Sequence, residues 1–345
     1  MQDEQVGIHS RQRPISRIDL QDSQASGFVF SAEQPLPLVF QSEVEGLDPV
    51  KWLRKNQGLL EEKLREHGAA LLRGFAASSP DVFERSAEVL CPDLFTEYGD
   101  LPRERAARKV YESTPYPPDQ SIFFHHEGSH THQWPMKQWF YCVLPAKQGG
   151  CTPLADGRKI YAGLDETVRE EFGRKGLKYI RNFIEGLDVS WQDFFKSSDR
   201  KAVEQSCRQA GIDCQWNGNT LRTSRTCPAF ARHPKNGQMV FFNQILLHHV
   251  ACLPPALAAS LRTLFPEDDF PRSVYFGDGS KIPDETIRDI QALYERTAVR
   301  FEWQPHDIAL VDNMLVAHAR DPYVGPRKIL VAMGEMVHCA DLAAA

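Results

Sequence analysis

Residues 124 to 135 read FHHEGSHTHQWP. His125, His126, His130 and His132, with Glu127, fall within eight positions of a chain that has 12 histidines in 345 residues. Imidazole and carboxylate are side chains that hold divalent metals. On a strand, residues i and i+2 point to one side. His125 and Glu127 would then share a face, with His126 on the other. On a helix the same pair would diverge by roughly 200°, at about 3.6 residues per turn. An H-x-E pair on a strand is thus half of a metal site, and a third ligand must come from elsewhere. Two imidazoles and a carboxylate on one face of iron leave three positions open, the arrangement of non-haem Fe(II) oxygenases. His130 and His132 compete for the same role, or belong to a loop that follows Gly128.

A second stretch carries chemistry, LVDNMLVAHARDPYVGPRKILVAMG from Leu310. An apolar strand runs into His318. Asp321, Pro322, Gly325 and Pro326 make a turn, and the returning strand opens with Arg327. A histidine at a strand end and an arginine across the hairpin are spatial neighbours. Arginine suits the bidentate grip of a carboxylate.

These segments need elements to position them. Asp48 and Pro49 are an N-cap and a first helical residue, and Val50, Leu53, Leu60 and Leu64 share a face up to Gly68, so one helix is expected there. AALLRGF (69–75) reads as a strand, and a second helix starts at Ser79-Pro80 and ends before Pro92. Strand character over 108–156 (RKVYEST, SIFFHHE, QWFYCVLP) precedes a helical block over 157–212. Strands are expected again at NTLRTSR and QMVFFNQILLHHV, then helices PALAASLRTLF and PDETIRDIQALYER, then strands FEWQP, DIALVDNMLVAH and RKILVAMGEMV. Strands at both ends with helices between them predict a mainly β fold with helical insertions, a jelly roll. Residues 1–36 read as a polar N-terminal arm, and 37–345 as one domain with its helical insertion around 157–212.

Composition sets limits. The chain is 42% hydrophobic and 25% charged, with a net charge of -6, and it shows no clustered basic face of the kind nucleic-acid binding requires. No apolar run approaches the ~20 residues of a membrane span. The eight cysteines form no C-x-x-C pair and read as reduced thiols. With no apolar signal core in MQDEQVGIHSRQ, the expected location is the cytoplasm.

In order, F-H-H-E, W-P, G-G-C-T-P, F-F-N-Q and D-N-x-x-x-x-H-x-R-x-P-Y-x-G-P-R resemble the taurine dioxygenase (TauD/TfdA) family of Fe(II)/2-oxoglutarate-dependent oxygenases, and within it the SyrP-like branch of natural-product pathways. The resemblance runs from about Gly68 to Met336. It implies a double-stranded β-helix, a cupin-like jelly roll, with His125, Glu127 and His318 as ligands of Fe(II). It implies that Arg327 and Thr152 bind the far carboxylate of 2-oxoglutarate, which is decarboxylated with O2 to succinate and CO2. Asn243, Gln244 and Arg320 match positions that line the pocket, and His126 and His130 stand where the branch more often has Asn and Tyr, which makes them candidate substrate contacts. The carboxylate at 127, where halogenases of the superfamily have a small residue, implies hydroxylation of an unactivated C–H bond; desaturation, epoxidation and cyclisation use the same oxidant. An amino-acid-like substrate, free or tethered to a carrier protein, is implied, and homo-oligomerisation is left open. A zinc hydrolase with the same three ligands, or a cupin-like binding protein without turnover, are the other readings. The Arg327/Thr152 pair argues against both.

Overall fold

The computed structural model describes residues 16–20, 22–95, 105–113 and 116–343. Its largest sheet has eight strands. Their order is Ser16–Ile18, Ala25–Val29, Leu38–Ser42, Ala69–Arg73, Ile308–Asp312, Gln133–Leu144, Lys328–His338 and Tyr111–Glu112. Side-chain alternation gives this sheet two apolar faces. Ala70, Leu72, Trp139, Tyr141, Ile308, Leu310, Leu330 and Ala332 pack against the helices Pro49–Lys55, Gln57–His67 and Pro80–Leu90. Their neighbours Ala69, Leu71, Phe140, Ala309, Val311, Ile329, Val331 and Met333 form the opposite face. That second face meets Leu154 and Val316 of a three-stranded sheet, Ile122–His125, Val316–Arg320 and Leu154–Asp156. The two facing sheets make the jelly roll that the sequence predicts. The small sheet's outer side (Phe124, Ala155, Ala317, Ala319) is covered by the helix Asp284–Thr297 through Ile287, Ile290 and Tyr294.

Five expectations change. The helix expected over 48–68 is two, Pro49–Lys55 and Gln57–His67. Asn56 divides them, because its side chain bonds Trp52 O and the Asp22 carboxylate instead of continuing the helix. Asp22 also accepts from Trp52 Nε1 at 2.6 Å. This contact, with strands Ser16–Ile18 and Ala25–Val29, ties the described part of the expected polar arm to the main sheet, its first fifteen residues lying outside the described residues. The block 157–212 contains a strand, Leu177–Asn182, central to a four-stranded sheet with Asp213–Asn217, Thr220–Cys227 and Arg272–Phe276. In QMVFFNQILLHHV only Met239–Val240 is strand, and Ile245–His248 is a helical turn. Phe241 and Phe242 lie outside any strand and enter different cores; their N–H groups bond the carbonyls of Gly157, at the start of a helix, and of Ala229, in a loop. FEWQP likewise lies outside any strand, with Phe301 and Trp303 buried.

Candidate metal and cosubstrate site

His125 is the last residue of strand Ile122–His125, and its antiparallel partner in register is His318 of Val316–Arg320. Directly opposed residues on neighbouring strands project to the same face, and the two rings lie 4.2 Å apart. Glu127, two residues on, stays on that side. Its Oε2 is 4.0 Å from His125 Nε2. One donor atom from each of His125, Glu127 and His318 lies within 4.8 Å of the others. Ligands held at about 2.0–2.2 Å from one ion stand roughly 3–4 Å apart, so small side-chain rotations close this set onto a cation.

The tautomer also fits. His125 Nδ1 is 2.8 Å from Phe123 O. A carbonyl only accepts, so Nδ1 carries the proton and Nε2 keeps its lone pair for a metal.

These groups line a cavity of about 980 Å³, at the upper end of the ~300–1,000 Å³ range of ligand pockets. Thr152 and Arg327 line it as well. Arg327 donates from Nε to Gly150 O (3.0 Å) and from Nη2 to Thr152 Oγ1 (3.4 Å). Trp303 Nε1 donates to the same hydroxyl at 3.1 Å. With two donors on its oxygen, the Thr152 hydroxyl has its own proton left for an incoming anion. Gly150 has φ +71°, and a Cβ there would sit 3.0 Å from Arg327 Cδ, so glycine is what lets the guanidinium lie against this turn. No salt bridge joins Arg327 to a carboxylate among the described residues. Burial, then the charge of Arg320, pull its pKa down to about 10. It is a cation at neutral pH without an anion.

Arg320 also lines the cavity; its Nη1 and Nη2 donate to Tyr116 O, Pro117 O and Gln120 O at 3.0, 2.6 and 2.6 Å, while its buried Nε has no hydrogen-bond partner among the described residues. Gln244 lines it too and donates to His126 O. The structure does not bring the other candidates to the wall. His126, just past the strand's end at His125, faces away. It is fully buried, donates from Nδ1 to Asn313 O at 2.7 Å and packs on Phe242, and burial pushes its pKa down to about 4. Asn243 is buried and bonds Ala229 O and Ile245 N, which starts the turn of helix after it. His130 lies tilted against Tyr179 and His248, and His132 against His338. The expectation that His126, His130 and Asn243 meet substrate is corrected accordingly. Sequence reading missed Trp303, Gln138, which lines the cavity beside Glu127, and Asn313, which holds the Glu127 main chain. Only Asn313 had a signal, its place in the D-N-x-x-x-x-H run.

Residues 32–333 match the family described as Taurine catabolism dioxygenase TauD, TfdA family. The chain belongs to that family and is an Fe(II)/2-oxoglutarate-dependent oxygenase that uses O2. Among curated relatives, the dapdiamide synthesis protein DdaC of Enterobacter agglomerans is 36% identical over 81% of this chain and 85% of its own length. A clavaminate synthase-like protein of Arabidopsis thaliana is 29% identical over 81% and 86%. Among solved structures, PvcB of Pseudomonas aeruginosa superposes with a TM-score of 0.54 at 16% identity, covering 93% of this chain and 94% of that one. AAD-2 in complex with Mn(II) and N-oxalylglycine gives 0.51 at 13%, covering 90% and 96%. These two likenesses are of fold. No described helix is long and apolar enough to cross a membrane.

Proposed function

We propose that His125, Glu127 and His318 hold Fe(II), that Arg327 and Thr152 hold the C5 carboxylate of 2-oxoglutarate, and that the enzyme hydroxylates an unactivated C–H bond of an amino-acid-like substrate in natural-product biosynthesis. One observation carries the reading. A metal-competent triad and a guanidinium without a carboxylate partner among the described residues, with a hydroxyl beside it, line the same cavity. The 36% identity to a dapdiamide synthesis protein supports the biosynthetic setting.

When bound, iron and 2-oxoglutarate supply the oxidising chemistry, with release of succinate and CO2. The chain supplies the rest. The Phe123 carbonyl keeps the His125 proton on Nδ1. Gly150 and Trp303 orient Arg327 and Thr152 toward one carboxylate. Phe140, Ile329 and Val331 give the cavity an apolar wall from the main sheet, which keeps water from the reacting end. The substrate is either free or tethered to a carrier protein in the cytoplasm.

The test is anaerobic. Metal-free enzyme receives Fe(II) and 2-oxoglutarate, and a weak visible charge-transfer band that needs both is expected. Amino acids and their carrier-bound forms are then screened for substrate-dependent succinate release and a product heavier by one oxygen. No band, with zinc bound tightly and turnover indifferent to oxygen, would move the reading to a hydrolase.

A further inference from the structure

The metal ligand Glu127 lies just beyond the sheet. The ladder between Ile122–His125 and Val316–Arg320 reaches the pair His125 with His318 and goes no further in that direction. Gly128 then turns the chain at φ +69°, and Ser129 N closes back on His126 O. No strand therefore aims Glu127. A ligand at such a place takes its direction from whatever binds its peptide.

That partner is one side chain. Asn313 Oδ1 accepts from Glu127 N at 2.7 Å, and Asn313 Nδ2 donates to Glu127 O at 2.9 Å. This two-point exchange is the pattern of a hydrogen-bonded pair in an antiparallel ladder, where two residues trade N–H and C=O. The second Nδ2 proton goes to Pro135 O at 2.8 Å. The Asn313 main chain is itself held, donating to Met136 O and accepting from His126 Nδ1. Asn313 is fully buried. It sits in the turn between Ile308–Asp312 and Val316–Arg320, a turn set by Asp312 Oδ1, which accepts from Met314 N and Leu315 N. The turn that leads from the main sheet into the His318 strand therefore also carries the amide that aims Glu127.

We propose that Asn313 is a positioning residue for the metal, its side-chain amide standing in for the peptide of a missing neighbouring strand and fixing the Glu127 carboxylate relative to His318. This rests on the assignment of His125, Glu127 and His318 as ligands. Orienting partners outside the ligand set commonly contribute about 10–100-fold to metal affinity.

Two measurements test it on the full chain. The first uses the unaltered apoenzyme and hydrogen exchange resolved to residues. The Glu127 amide is expected to be protected before any metal is added. A Glu127 amide that exchanges freely until Co(II) is added would mean that the metal orders the ligand, and the proposal fails. The second is anaerobic Co(II) titration of the apoenzymes of Asn313→Ala and Asn313→Asp. Leu53→Ala, in the core on the other side of the main sheet, serves as the control for lost stability. Both Asn313 variants are expected to lose about 10–100-fold in Co(II) affinity, while Leu53→Ala, with a melting temperature lowered at least as far, stays within about threefold, a bound chosen to separate the two. Equal affinities in the Asn313 variants and the control would overturn the positioning role. If Glu127→Ala also bound Co(II) like the unaltered enzyme, the ligand assignment would fall and the proposal with it.

Discussion

Arg327→Met separates the stability of this protein from its affinity for cosubstrate, because the two make opposite demands on one side chain. The guanidinium is partly buried, donates to one carbonyl and one hydroxyl, and has no carboxylate partner among the described residues. Burial, and then Arg320, hold its pKa at about 10 against an ordinary 12.5. A base with a depressed folded pKa binds fewer protons than its unfolded form between those two values, so stability rises with pH there. At pH 7 to 8 the folded apoenzyme carries the whole cost of that charge. Methionine keeps much of the stem and removes the charge. The apoenzyme should then melt no lower than the unaltered one, against the usual trend of core substitutions. Binding should move the other way. Removing one partner of a buried ion pair costs about 3–5 kcal/mol, which is roughly 100- to 1,000-fold or more in the Kd for 2-oxoglutarate at about 1.4 kcal/mol per decade. Arg327→Lys keeps a charge but loses the planar fork and should fall between. The assay is anaerobic titration of the Fe(II)-loaded enzyme with 2-oxoglutarate, followed by its charge-transfer band, beside thermal melts of the apoenzyme. A Kd for Arg327→Met within threefold of the original would remove Arg327 from the cosubstrate site. A large fall in apoenzyme stability would refute the account of its charge.

Thr152→Val keeps shape and deletes the hydroxyl that Trp303 and Arg327 both address; at about 1 kcal/mol for a neutral hydrogen bond, the same titration should show a Kd weaker by roughly fivefold, and no change would mean the carboxylate lies elsewhere. Glu127→Ala should lose stoichiometric Fe(II) by metal analysis after desalting, and full retention with full hydroxylation would sink the triad. At the cavity's flank, burial would raise the Asp188 carboxyl, but Arg272 and Arg181 outweigh it and hold its pKa at about 2. That contribution is complete above the ordinary carboxylate pKa of 3.8 and is lost as pH falls from there towards 2. Asp188→Asn should therefore cost about 1–2 kcal/mol at pH 7, after allowance for solvent screening, and progressively less in acid. Urea melts across that range check it, and a cost undiminished near pH 2 would show the effect is not the charge.

How much was legible depends on how local each contact is. Pairing His125 with Glu127 in the sequence assumed a strand that continues through 127; the strand ends at His125, and Glu127 reaches the same side through the Asn313 contact and the turn at Gly128. His318 stands opposite His125 through a register nearly two hundred residues distant, and no periodicity reports a register. It was identified through family resemblance. The same limit explains Trp303 and Asn313, whose partners Thr152 and Glu127 are 151 and 186 residues away. His130 and Asn243 misled because nearness in sequence to a ligand or a motif does not say which wall a side chain joins. Among elements, Leu177–Asn182 was hidden because a six-residue strand with two charged positions carries little periodic signal between stronger helices. Phe241-Phe242 shows the converse, since an apolar run reports buried faces, while a ladder also needs a neighbour.

The cavity joins two kinds of construction. Its metal and cosubstrate end is made by residues at ladder positions or at their immediate ends, His125, His318 and Arg327, where backbone pairing fixes geometry. The remaining wall mixes irregular segments, including Tyr116, Gln120 and Leu187, with the helix Pro255–Leu264 through Leu257 and Leu261. Chemistry needs placement within about 0.5 Å, while loops tolerate replacement. Such a division lets one reaction serve different substrates. Arg320 is where the two halves meet. It lies two residues beyond His318 on the same strand, so both side chains project to one face, and it gives three hydrogen bonds to carbonyls of 116–120. The loop that borders the substrate space is thereby fastened to the strand that presents a metal ligand. A change in that loop's position is therefore felt through Arg320, at the far end of the strand from Asn313, while the aim of Glu127 is held by the turn that joins the two sheets.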